Sequence, residues 1–125
     1  NADIALHVES LDLKNRLLTQ LSFSTKIIDC IGSGCAVMAY CWEKHSGYTY
    51  LKRENAAICV GSRKELKKRL KEICRHPEQI QQYAYNAYQC GKKNHERVKV
   101  QCMLKNDFES IIHCTKESVN ENSAN

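Results

Sequence analysis

The chain has 125 residues, enough for one domain with a real core, and its 42% hydrophobic and 26% charged residues are ordinary for a soluble globular fold. The longest apolar run, Cys35 to Cys41, falls far short of the roughly 20 residues a membrane helix needs, and the segment from Asn1 has neither a basic nor a leader-like apolar region, so a cytoplasmic protein is expected. A net charge of +5, from 19 Lys and Arg against 14 acids, permits an anionic partner without naming one.

In chain order, Ile4 to Val8 is an apolar run of strand length. Thr25 to Ser33 places Ile27, Ile28 and Ile31 at helical spacing, Cys35 to Tyr40 is a second apolar run, and Ala56 to Val60 is a third, with a short helix or turn within Glu43 to Arg53. Gly61-Ser62-Arg63-Lys64-Glu65 reads as a capping box with Ser62 as the cap and Glu65 at the third helical position. The helix it opens is expected to bury Leu66, Leu70 and Ile73 and to end before Pro77, which suits the first turn of the next helix. Ile80, Tyr83, Ala84 and Ala87 mark that helix, and Gly91 is expected to end it. A last helix, from about Asn94 to His113, carries Val98, Cys102, Phe108, Ile111 and Ile112 before a polar end from Glu117 to Asn125.

Continuous apolar strands separated by helices predict a parallel sheet covered on both faces. The expected fold is therefore α/β, a partial Rossmann-like three-layer sandwich of about three strands in sequential order, with extra C-terminal helices. Its first strand would lie at an open edge, which invites pairing with another copy of the chain.

Most groups capable of chemistry read as structural. The eight cysteines are widely spaced with no CxxC, so they are expected as buried thiols and not as disulfides or a metal site. His7, His45, His76, His95 and His113 lie far apart, without paired ligand spacing, and are expected at the surface or satisfied in the core. The basic run Arg63 to Lys71 has leucines at i and i+4 and reads as the solvated face of an amphipathic helix; no interleaved aromatics or recognisable module point to nucleic acid.

One segment exceeds its structural needs. Ser22, Ser24 and Thr25 precede a helix whose start needs one capping side chain, and Lys26 adds a full charge. In an open parallel sheet such a helix starts at the carboxyl ends of the strands, where ligands bind. The surplus donors therefore predict a phosphate site. Asp29, one turn on and on the same face as Thr25, has two oxygens able to accept from a vicinal diol such as a ribose. Gly34 is expected in the left-handed conformation that leads into the second strand.

The order Ala2-Asp3-Ile4-Ala5-Leu6, then Phe23-Ser24-Thr25-Lys26-Ile27-Ile28-Asp29 through Gly32-Ser33-Gly34 to Ala39, then Tyr50-Leu51, Asn55-Ala56-Ala57, Ser62 to Leu70 and His76-Pro77-Glu78 resembles the C-terminal, donor-binding half of a group 1 glycosyltransferase of the two-Rossmann-domain (GT-B) type. The resemblance implies that residues 2–115 form a truncated C-terminal domain with a polar tail at 116–125, and that a missing N-terminal domain supplies the acceptor site. It implies a nucleotide sugar as substrate, with no metal or other cofactor, and transfer of its sugar only by the full-length protein. Ser22, Ser24, Thr25 and Lys26 would then lie at the donor diphosphate, and Asp29 at the ribose. Asp29 stands where the family usually has Glu, and Ala36 where it usually has Pro. The family's upstream acid, which contacts the transferred sugar, falls on either Glu9 or Asp12, because the loop is longer here, with Leu11 to Leu21 inserted; Glu9 is kept with the donor-binding residues.

Two other readings stand beside this one. A non-catalytic α/β binding or interaction module fits the same pattern and would self-associate through the first strand edge or the apolar face of the last helix. A receiver-like regulator is disfavoured because no acid cluster ends the first strand.

Overall fold

A computed structural model describes residues 2–122 of the chain. Three strands, β1 (Ile4–Val8), β2 (Ala36–Tyr40) and β3 (Ile58–Val60), alternate with helices α1 (Leu13–Thr19), α2 (Lys26–Gly32), α3 (Ser46–Arg53) and α4 (Arg63–Arg75), and are followed by α5 (Glu78–Asn94) and α6 (Arg97–Asn122). The sheet is parallel with the order β1-β2-β3, so both β1 and β3 are edges. Ile4 lies opposite Ala36 and Val8 opposite Tyr40; Met38 lies opposite Ile58 and Tyr40 opposite Val60. The fold is a partial Rossmann-like α/β sandwich with a short parallel sheet.

Because side chains alternate across a strand, β2 supplies two cores. Val37, Ala39 and Cys41 join Ile27 and Ile31 of α2 and Leu51 of α3 on one face. Met38 joins Ile58, Val60 and Ile73 on the other, with Leu66 of α4 packed partly against them. Helix α5 serves both, giving Ile80 and Tyr83 to the second core and Ala87 and Cys90 to the first.

Local chemistry explains most boundaries. The Ser62 side chain accepts from Glu65 N at 3.2 Å, and Glu65 Oε2 accepts from Gly61 N at 2.9 Å, so the capping box forms and reaches one residue beyond the cap. Gly34 has φ +77° and turns the chain from α2 into β2.

Four expectations are corrected. Residues 11–21 hold a helix, α1, opened by Asp12, whose side chain accepts from Asn15 N at 3.4 Å. Gly91 does not end α5, which continues to Asn94; a Cβ there would sit 2.8 Å from Ile31 Cγ2, so glycine serves close approach of α5 to α2. Leu70 is 42% exposed, because α4 buries Ile73 and packs Leu66 partly against the sheet while Leu70 lies at the margin of that face. Cys74 and Cys102 are exposed, although Cys41 and Cys90 are buried as expected.

The chain divides into two compact units, Asn1–Lys93 and Asn94–Asn125. The second is built on α6, where Val98, Phe108, Ile111 and Ile112 are exposed. The helix carries on through the expected polar tail as far as Asn122, and residues 123–125 lie outside the described residues. Among the described residues no helix is long and apolar enough to cross a membrane.

Candidate functional site

The alternation of β1 puts Ala5 and His7 on the face covered by α2 and α3, and His7 is only 1% exposed. Among the described residues neither of its ring nitrogens has a hydrogen-bond partner; Glu9 Oε1 is 3.8 Å from Nε2, beyond hydrogen-bond reach. Burial lowers the His7 pKa below its usual 6.5, more strongly than Glu9 raises it, and the charges of His45 and Lys26 act in the same direction as burial. The ring is therefore neutral near pH 7, an enclosed group with one N–H to donate and one lone pair to accept.

The neighbouring pieces are fixed by a short set of contacts. His45, 2% exposed, precedes α3 and accepts from Gly47 N through Nδ1 at 3.1 Å. Ser46 donates its backbone N–H to Gln20 O at 3.0 Å and its hydroxyl to Ser22 O at 2.6 Å, which ties the segment before α2 to the start of α3. Phe23 meets Tyr50 of α3 edge-on, with ring centroids 5.2 Å apart. The Arg16 guanidinium of α1 lies 5.6 Å from the centroid of Trp42, just past β2, and its Nε is buried without a hydrogen-bond partner among the described residues. The carboxyl ends of β1 and β2 thus gather an enclosed imidazole, His7, and the partly exposed Arg16, whose Nε is buried, while Lys26 lies within electrostatic reach of His7.

The hydroxyl surplus before α2 is not used by the helix. Thr25 has a helical backbone and makes no side-chain cap; the carbonyls of Ser24 and Thr25 accept from Ile27 N and Ile28 N instead. The hydroxyls of Ser22, Ser24 and Thr25 have no hydrogen-bond partner among the described residues. Thr25 and Asp29 lie one turn apart and exposed, while Ile27 and Ile31 of the same helix are buried. Of the two upstream acids, Asp12 is engaged in capping α1, whereas Glu9 faces His7.

The structure therefore sets Glu9 near His7, leaves Lys26 exposed but within electrostatic reach of that ring, and ties the Ser22 carbonyl to α3. Sequence reasoning missed His7 and Arg16. The first was visible as a polar residue at an inward position of a strand; the second had no role until α1 was seen as a helix. Burial pushes the thiols of Cys41 and Cys59 up to about 12, so neither offers a thiolate near pH 7. Among the described residues no group of His, Cys, Asp and Glu is arranged to hold a metal ion. No family model, curated protein or solved structure matches the chain.

Proposed function

We propose that this chain is the donor-binding half of a glycosyltransferase and holds the nucleotide diphosphate of a nucleotide sugar at the carboxyl ends of β1 and β2. The observation that carries this reading is His7, buried near Glu9 with both ring nitrogens unpaired among the described residues and with the Lys26 charge acting on its pKa. An enclosed polar group without a partner costs about 1–3 kcal/mol, and a ligand that pairs with it returns that energy on binding. Lys26 supplies charge for the diphosphate, and the free hydroxyls of Ser22, Ser24 and Thr25 supply donors. Asp29 takes the ribose diol, and Glu9 takes the place of the upstream acid near the sugar. No metal or further cofactor is required for these contacts.

Transfer itself belongs to a longer protein. Glycosyl transfer needs donor and acceptor held together out of water, and that positioning accounts for much of the rate. This chain alone is expected to bind donor at about millimolar affinity, about −4 kcal/mol, and to transfer nothing. Titration with a nucleoside diphosphate, followed by backbone amide shifts, should move Ser24 to Asp29 and His7, and Lys26→Ala should weaken binding by about 10-fold to 100-fold. Shifts confined to α4 would overturn the assignment.

A second reading, the non-catalytic interaction module, is favoured by one feature: Leu13, Leu17, Leu18 and Leu21, on and just after α1, are all exposed. It predicts self-association, through these leucines, the free edge of β1 or the apolar side of α6, and no response to nucleotide. Sedimentation over a range of concentrations distinguishes the two.

A further inference from the structure

We infer that the lysine face of α4 docks this protein on an anionic lipid surface. Of the 19 basic and 14 acidic residues in the chain, seven and two lie in α4; the remaining twelve and twelve balance, so this single helix carries the whole net charge of +5. Its two acids are engaged on its own flank. Glu65 accepts from Gly61 N at 2.9 Å, and Glu72 pairs with Arg69 at 3.0 Å and with Lys68 at 3.9 Å. Lys64, Lys67 and Lys71, spaced three and four residues apart, share one exposed side and have no acidic partner within ion-pair distance among the described residues. Together with Lys68 and Ser62 they line an open hollow of about 710 Å³, to which Glu43 and Glu65 are the acids contributed by the described residues.

Charge alone would suit a nucleic acid equally well, and the neighbouring apolar surface decides between them. Leu70, 42% exposed, sits between Lys67 and Lys71 in the helix. It opens onto a groove of about 300 Å³ lined by Ile4, Leu6, Met38, Tyr40, Leu66 and Leu70. Leu6 is 58% exposed, and Val8, on the same face of β1, is 50% exposed. Lysines beside exposed aliphatic side chains match the boundary between headgroups and acyl chains, where the ammonium groups meet phosphates and the aliphatic groups leave water. A nucleic-acid strand offers aliphatic groups no such exchange and is usually gripped by aromatic side chains, of which α4 has none.

The test uses the chain as it stands, sedimented with vesicles of phosphatidylcholine alone and of phosphatidylcholine with about a quarter phosphatidylserine. Binding is expected only to the anionic vesicles and to fall with added salt. Replacing Lys64, Lys67 and Lys71 together by Ala should weaken it by about a hundredfold, about fivefold for each lysine. Leu70→Ser should weaken it several-fold while leaving its salt dependence unchanged. All four side chains are at least partly exposed, so circular dichroism should report an unchanged fold for both variants. Equal binding to both vesicles, binding to neither, displacement by millimolar inorganic phosphate, or tighter binding to a duplex oligonucleotide would each overturn the proposal. These residues are separate from the donor site, so failure here leaves the nucleotide titration to be judged by itself.

Discussion

On the side of the sheet facing α2 and α3, Ile27, Val37, Cys41 and Leu51 are fully enclosed and His7 is enclosed among them; on the side facing α4, Leu6, Val8 and Leu70 stand about half exposed around Met38, Ile58 and Val60. The difference follows from coverage. Helix α2 packs on β1 and β2 while α3 packs on β3, but α4 packs chiefly on β3 and leaves Leu6 and Val8 of β1 about half exposed. A fully covered face can shut a polar group away from water and hold it for a ligand; a half-covered one keeps aliphatic groups available to a surface. The candidate donor site and the candidate lipid surface thus arise from one asymmetry.

The largest expected break is in the closed core. Leu51→Ala should cost about 2–5 kcal/mol in urea unfolding, because the enclosing helices and sheet cannot collapse fully onto the space. A loss near 1 kcal/mol would mean that this face is looser than its burial suggests. His7→Leu should act in the opposite sense, raising stability by about 1–3 kcal/mol by removing an unpaired buried group, while abolishing the response to nucleoside diphosphate. If the variant is instead less stable, His7 is satisfied in solution and the observation supporting the donor site fails.

Acid exposes the same residue. The folded protein holds His7 below the 6.5 of an unfolded chain, so the unfolded state takes up the proton first. Stability from this group is complete above about pH 6.5 and declines as pH falls from there toward the folded value. Unfolding measured between about pH 8 and pH 5 should show this decline in the natural chain and lose the His7 share of it in His7→Leu, whose other ionisable groups are unchanged. The smallest effect belongs to the open face: Leu70→Ala should cost less than about 1 kcal/mol, since much of the side chain is already in water. A cost matching that of Leu51→Ala would show a closed second core and remove the apolar half of the lipid surface.

The α/β class, the three strands and α4 were legible because each rests on local rules: apolar runs of strand length, a capping box and a helical leucine repeat, all within a few residues of chain. The concentration of charge in α4 was equally plain in the residues themselves. Helix α1 was not, because its leucines enter no core and so leave no pattern tied to the sheet, and its Asp12 cap has the shorter Asn15 where a capping box has Glu or Gln. Gly91 looked like a helix stop because glycine favours that place; only the approach of Ile31 revealed a spacing requirement inside a continuing helix. His7 could be placed on an inward strand position from sequence alone, but whether its nitrogens find partners depends on how Glu9, just past the same strand, and residues 26 and 45, on other segments, come to lie around it. Sequence determined the elements because hydrogen-bonded periodicity is local; tertiary structure decided the site and the exposed groove because burial, pairing and field are set by groups that meet only when the sheet is assembled.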